Sequence, residues 1–239
     1  MGIKYKVNEE FFEKWSYKMA YVLGFVYADG SLENALYLRG KYVRMTSTDK
    51  DILEKIQRVM NSEHRLYVDK PKENHKTKYL LRIGSHKLYD SLEKRGVHPN
   101  KSLNMCLPKI PKKYFGSFLR GYFDGDGCVH LEKKDKFDVM SVKRLTVVFT
   151  SGSKFFLEEL LKCLQKIEGV MVEKVYNSHR SLQLRFATGD SKKIFCLLYN
   201  DIVGELFLDR KLQNFLKYFT LRPLSVDKRV KRTILRLNG

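Results

Sequence analysis

Two aspartates, Asp29 and Asp126, close two similar stretches of this sequence, Val22 to Gly30 and Leu119 to Gly127. Both stretches read apolar-x-Gly-aromatic-apolar-x-small-Asp-Gly, and the second lies 97 residues on (from 29 to 126). A lone Asp-Gly is an ordinary helix stop or turn. Its duplication in one context suggests chemistry instead. Two adjacent carboxylates repel and raise each other's pKa unless a cation sits between them. A divalent metal with oxygen ligands resolves that repulsion. Near a phosphodiester, a metal held this way activates water and stabilises the leaving oxygen.

The elements that position these acids follow from spacing. Gly24 and Ala28, and then Gly121 and Gly125, are each small residues four apart on one helix face. Small residues let two helices approach closely, a steric logic best known from membranes. Side-by-side packing about a pseudo-twofold would bring Asp29 and Asp126 together at the helix ends. Residues 16–29 recur with helical period and stop at Asp-Gly.

The repeat continues past the motif. Met45 to Lys50 precedes an apolar helix pattern, as Phe149 to Lys154 does. Leu81-Arg82-Ile83 then matches Leu184-Arg185-Phe186. Residues 33–39 and 41–47 alternate around Arg39-Gly40 as a half-buried hairpin. Thr48-Asp49 is read as the cap of a helix to about Met60. A second hairpin over 64–69 and 76–84 points Leu66, Val68, Tyr79, Leu81 and Ile83 inward. A helix from Ser85 follows. The second unit is expected as a helix at 112–125, strands near 128–133 and 143–150, and a helix at 153–167. Strands near 170–177 and 180–188 and a helix at 190–201 complete it. The fold class is therefore α+β, two αββαββα units with antiparallel sheets. The expected domains are 1–98, a Pro-containing linker at 99–111, and 112–239. The last includes a helix at 209–220 and a loose basic tail from Leu221.

Composition narrows the partner. The 239 residues carry 46 Lys+Arg against 27 Asp+Glu, a net charge of +19. That points to a polyanion, most commonly nucleic acid. With 43% apolar residues, 14 Tyr and 15 Phe, the chain can bury a core and is not disordered. No apolar run approaches the roughly 18–20 residues of a membrane span. The start, Met1 to Lys18, has no signal-peptide pattern. The four cysteines form no CxxC pair, which argues against zinc or a disulfide framework and for a reducing, intracellular setting.

The two motifs resemble the paired LAGLIDADG signatures of the homing endonucleases, in their single-chain form, over roughly residues 15–220. The first copy departs from the pattern at Leu23 and Tyr27, and the second at Arg120. The metal-binding acids are retained as Asp29 and Asp126. The resemblance implies a DNA-binding saddle whose strands lie in the major groove above the motif helices. It also implies Mg2+, with Mn2+ or Ca2+ able to substitute, bound by Asp29 and Asp126 with Ala28 and Gly125 beside them. Cleavage would leave short 3′ overhangs. Lys101 and Lys211 become candidates for the family's basic catalytic residue, against the plainer reading of phosphate-contacting or surface lysines. A cation near developing negative charge helps in the transition state. Ser47 and Ser151, at equivalent strand ends, are candidates for ordering solvent, against the plainer reading of polar residues that start helices.

Outward strand faces supply DNA-reading candidates. In the first unit these are Tyr37, Arg39, Tyr42, Arg44, Arg65, Tyr67, Lys78 and Arg82. In the second they are His130, Glu132, Arg144, Thr146, Asn177, Arg180, Gln183 and Arg185. Mixed Arg, Gln, Asn and Tyr suit base edges, and Lys or Arg at loop tips suit phosphates. The plainer reading is polar residues facing water. The histidines, His64 among them, show no ligand spacing and are read as surface or groove residues. Trp15 is read as core packing.

The leading expectation is a monomeric, magnesium-dependent endonuclease for a long, asymmetric double-stranded DNA site, of the intron-homing kind. It needs no protein partner and no membrane. The alternative is an intron-splicing maturase or a regulator on the same fold that binds without cutting. Met1 and the short ends argue against an intein.

Overall fold

A computed structural model describes residues 5–35, 40–69, 76–99, 103–135, 137–138, 140–179, 181–202, 204 and 206–237. By contacts the chain forms two compact units. Unit 1 is Met1–Lys101, Pro108–Gly125 and Val203–Phe207; unit 2 is Ser102–Leu107, Asp126–Ile202 and Leu208–Gly239. This cut differs from the repeat boundary at 111/112, because the second motif helix packs on the first.

Unit 1 opens with α1 (Tyr17–Asp29), whose N-cap Ser16 accepts from the Met19 N–H. The chain then turns directly into β1 (Gly30–Ala35), β2 (Gly40–Ser47), α2 (Lys50–Val59), β3 (Leu66–Asp69), β4 (Lys78–Gly84) and α3 (His86–Lys94). The sheet is antiparallel in the order β1-β2-β4-β3. Val43, Met45, Leu81 and Ile83 are fully buried on its inner face. There α2 and α3 bury Ile52, Leu53, Ile56, Leu88 and Leu92. Period two on the strands and an apolar stripe on the helices thus meet in one core.

Several expectations need correction. β1 starts at Gly30, three residues early, and pairs with β2 as far as Ala35↔Gly40; residues 36–39 lie outside the described ones. The helix does stop at Asp-Gly, and Gly30 caps α1 in extended backbone (φ −103°, ψ 160°). Glycine is needed for space: a Cβ there would lie 2.6 Å from Val26 Cα. Asp49 is the N-cap of α2, but its side chain makes no capping hydrogen bond. Val68 is 53% exposed, because β3 is an edge strand and the helices bear on β2 and β4. His64 is buried, with its ring 5.4 Å from that of Tyr5. Trp15 is half-buried, stacked on Tyr114 and under the Arg95 guanidinium.

The second motif helix, α4 (Phe115–Asp126), follows a 3-10 turn at Lys112–Tyr114. Unit 2 holds β5 (Gly127–Lys133), β6 (Val142–Ser151), α5 (Lys154–Glu168), β7 (Tyr176–Ser178), β8 (Ser181–Phe186) and α6 (Thr188–Tyr199). Its sheet repeats the first as β5-β6-β8-β7, with Leu145, Val147, Phe149, Leu184 and Phe186 fully buried. β7 has only three residues, where the sequence suggested a strand from about 170.

Two more helices, α7 (Asp209–Leu221) and α8 (Lys228–Leu237), complete unit 2. The described part of the basic tail is therefore folded: α8 packs on α6, Val230 is fully buried, and Arg229 pairs with the Glu168 carboxylate.

Candidate functional site

The two motif helices meet through their glycines. A Cβ on Gly24 would lie 1.9 Å from the Phe118 carbonyl oxygen, and one on Gly121 would lie 1.9 Å from that of Tyr21. Position 118 is the repeat counterpart of 21, as 121 is of 24, so the contact is reciprocal. Near the helix ends Gly125 performs the same service. A Cβ there would sit 2.3 Å from the Ala28 Cβ and 3.2 Å from Asp29 Oδ2. The small residues therefore act as the sequence suggested, and the Asp29 carboxylate lies over Gly125.

The repeat counterparts Tyr27 and Asp124 are both buried but bonded differently. Asp124, 2% exposed, accepts from the Tyr21 hydroxyl at 2.6 Å. Tyr27 donates to the Arg95 carbonyl at 2.8 Å, at the C-terminus of α3, and meets the Phe118 ring edge-on. Arg120, at the other departure from the motif, is 1% exposed and donates from Nε to the Leu206 carbonyl at 3.0 Å. All three are packing residues.

Asp29 and Asp126 differ from them: each is the last residue of its helix and half-exposed. A helix C-terminus carries partial negative charge and favours cations. Neither last turn holds a basic residue. Each helix end taken by itself offers only oxygen donors, a carboxylate and the carbonyl of the small residue before it. That chemistry fits a hard divalent ion such as Mg2+ or Ca2+. Among the described residues no three His, Cys, Asp or Glu side chains converge as a metal cluster.

Ser47 and Ser151 end β2 and β6 and make the same bond. Ser47 Oγ accepts from the Asp49 N–H at 3.0 Å, and Ser151 Oγ accepts from the Ser153 N–H at 3.1 Å. Both thus stand at helix starts. Lys211 lies in the first turn of α7 and is 3% exposed. A lysine is almost never this deeply buried unless it is paired. Lys101 lies outside the described residues.

The outer faces of the two sheets hold most of the other candidates. In unit 1, Tyr42, Arg44 and Arg82 share this face, with Tyr67 (58% exposed) and Lys78 further along; exposed Arg65 precedes β3. Tyr37 and Arg39 lie outside the described residues. In unit 2, His130 pairs across from Thr146 and Glu132 from Arg144, while Gln183 and Arg185 project from β8. Asn177 is exposed, but it pairs with Leu182, on the opposite parity to Gln183 and Arg185. Its neighbour Tyr176, opposite Gln183, takes the outward place, with the Arg185 and Lys174 cations over its ring. Arg180 lies outside the described residues. Glu33, opposite Tyr42, was also missed.

Paired glycine-packed helices ending in half-exposed aspartates, each leading into a four-stranded antiparallel sheet, define a duplicated αββαββα protein. Residues 16–96 and 116–197 each match the LAGLIDADG-like domain, and the chain belongs to that family. Solved structures share the fold. The homing endonuclease I-WcaI bound to its DNA recognition sequence superposes with a TM-score of 0.57 at 16% identity, over 86% of this chain and 90% of that one. The meganuclease I-CpaMI bound to uncleaved DNA gives 0.57 at 10% identity, over 94% and 97%. Among curated relatives, a probable translation initiation factor IF-2 of Methanocaldococcus jannaschii is 26% identical over 201 residues, 82% of this chain and 14% of that protein. The corresponding factor of Thermococcus kodakarensis is 37% identical over 82 residues, 33% of this chain and 6% of that protein. The chain thus spans a small part of the length of these relatives.

Proposed function

We propose that this protein is a double-strand DNA endonuclease that hydrolyses phosphodiester bonds with a divalent metal, most simply Mg2+. The observation that carries the reading is the position of Asp29 and Asp126. Each is a half-exposed acid at the negative end of a motif helix without a basic neighbour in its last turn. Those two carboxylates, with the carbonyls of Ala28 and Gly125, would hold the ion. A bound divalent ion supplies charge stabilisation at the phosphate and a more acidic water.

The chain's own groups would do the rest. Exposed basic residues of both sheets would bind the phosphate backbone and register the duplex. Lys211, and Lys101 beyond the described residues, would place positive charge near the reacting phosphate. Ser47 and Ser151 each keep a hydroxyl proton to donate to ordered water after accepting a backbone N–H. The two halves differ in their outward residues, which supports an asymmetric site read by one chain acting alone and leaving short 3′ overhangs. Solved proteins of this fold include endonucleases bound to DNA, which supports the same reading. Among the described residues no helix is long and apolar enough to cross a membrane.

The test is cleavage of a randomised duplex library with Mg2+, with and without EDTA. Cutting at a recoverable site, stopped by EDTA, is expected. Selective binding without cutting in any divalent metal would favour a binding-only protein on the same scaffold.

A further inference from the structure

The outer face of the unit 1 sheet carries one arginine, Arg82, whose conformation is set by two neighbours, Glu33 and Tyr42. Arg82 on β4 donates from Nε to Glu33 Oε2 at 3.2 Å and from Nη2 to Glu33 Oε1 at 3.0 Å. Its guanidinium carbon lies 3.6 Å from the centre of the Tyr42 ring. Tyr42 in turn lies against two glycines: a Cβ on Gly40 would be 2.7 Å from the ring, and one on Gly84 would be 3.1 Å away. The strand register explains the cluster, since Glu33 pairs with Tyr42, Tyr42 with Gly84, and Arg44 with Arg82. Arg44 Nε approaches the same carboxylate at 3.8 Å. Glu33 and Arg82 keep 27% and 28% of their side chains exposed, so the cluster meets solvent.

The repeat supplies a control within the same molecule. Arg185 on β8 is the counterpart of Arg82, paired across from Val148 as Arg82 is from Arg44. At the counterparts of Glu33 and Tyr42 stand His130 and Thr146, which pair with each other as Glu33 and Tyr42 do. Arg185 therefore lacks both the carboxylate clamp and the close ring. It donates to Gln183 two residues away, with its guanidinium 5.8 Å from the Tyr176 ring, and it is exposed.

A guanidinium has five N–H donors in a rigid plane. The Glu33 bonds use one on Nε and one on Nη2, leaving both on Nη1 and one on Nη2. Those remaining donors point away from the carboxylate as a fork, the shape that matches O6 and N7 of guanine in the major groove. We infer that Glu33 and Tyr42 hold Arg82 as a preorganised guanine reader, and that Arg185 reads its half-site with less selectivity. Glu33 and Tyr42 are positioning residues; Arg82 makes the base contact. The carboxylate also repels phosphate and so directs the fork to a base edge.

This inference rests on the DNA-binding reading above, and one experiment separates the two. The full chain is used in Ca2+ to select from a randomised duplex library, alongside Arg82→Lys, Glu33→Gln and Arg185→Lys. In the unaltered protein one base pair of the recovered site is expected to be G·C with high selectivity. Arg82→Lys is expected to reduce the preference there by roughly 5- to 150-fold. Glu33→Gln should relax the same position, with smaller change elsewhere, an effect that a merely structural role would not confine to one base pair. Arg185→Lys should flatten preference less, and at a different position. Thermal melts of each variant check that it is folded. An unchanged base preference in folded Arg82→Lys or Glu33→Gln would overturn the inference. Recovery of no sequence by the unaltered protein would overturn the DNA reading, and the inference with it.

Discussion

Tyr21 and Asp124 are joined by a 2.6 Å hydrogen bond inside the packed helix pair α1–α4. Their counterparts at the 97-residue offset, Phe118 and Tyr27, meet instead as edge-on rings with centroids 5.4 Å apart. One geometric position thus holds a polar pair and its repeat an aromatic pair. Asp124 is thereby committed to packing, and of the acids in the second motif only Asp126 is half-exposed at the helix end.

Removing the Tyr21 hydroxyl takes one hydrogen bond from a buried carboxylate. Tyr21→Phe is expected to lower unfolding stability by about 1–3 kcal/mol. Phe118→Tyr, at the aromatic counterpart, relieves no such need. Urea titrations of the two variants would show the contrast, and equal small effects would argue against a stabilising role for the bond.

The glycine contacts permit less. A methyl group at Gly24 or Gly121 would lie 1.9 Å from a backbone carbonyl oxygen, which cannot swing aside as a side chain can. Gly24→Ala and Gly121→Ala should each cost at least about 1–3 kcal/mol through overpacking. Gly189→Ala is a control, since a Cβ there meets nothing within 4 Å. Comparison of denaturation midpoints checks this.

His64 should give the protein an acid-sensitive component. Burial holds its pKa below the ordinary 6.5, against a smaller opposing effect of Glu63. Its bonds fit a neutral ring: the Gly84 N–H donates to Nε2 at 3.4 Å, and Nδ1 lies 3.1 Å from Ser62 Oγ. A depressed histidine is neutral when folded, so the unfolded chain takes up its proton first as pH falls. The contribution is intact above about pH 6.5 and declines below it. Melting temperatures of the protein and His64→Gln, measured from pH 7.5 to 5, should converge at the acid end; a constant gap would contradict this.

Much of this was legible in the sequence, for specific reasons. The motif helices and inward parity at Val43, Met45, Val147 and Phe149 follow from local period and from repetition. The Asn177–Tyr176 exchange shows where local reading stops: a one-residue shift moves every side chain to the other face, and only the pairing register fixes it. Burial of Arg120 depends on the Leu206 carbonyl, 86 residues away. The Glu33–Arg82 clamp joins strands 49 residues apart. Neither partner is visible by spacing, since each is supplied by tertiary structure.

Binding to duplex DNA should fall steeply with salt. A contact with about Z phosphates gives a slope near −0.9Z in log affinity against log salt concentration. Replacing an exposed outer-face lysine proposed to contact phosphate, such as Lys78, should reduce that slope by about one unit. A flat dependence would contradict an interface built on the basic sheet faces.

The most direct measurement is Mg2+-dependent cleavage of a recovered duplex by Asp29→Asn and Asp126→Asn, with binding measured in parallel. Each variant is expected to retain DNA binding and lose double-strand cutting. Double-strand cutting at full rate by either variant would contradict a metal held by these two carboxylates.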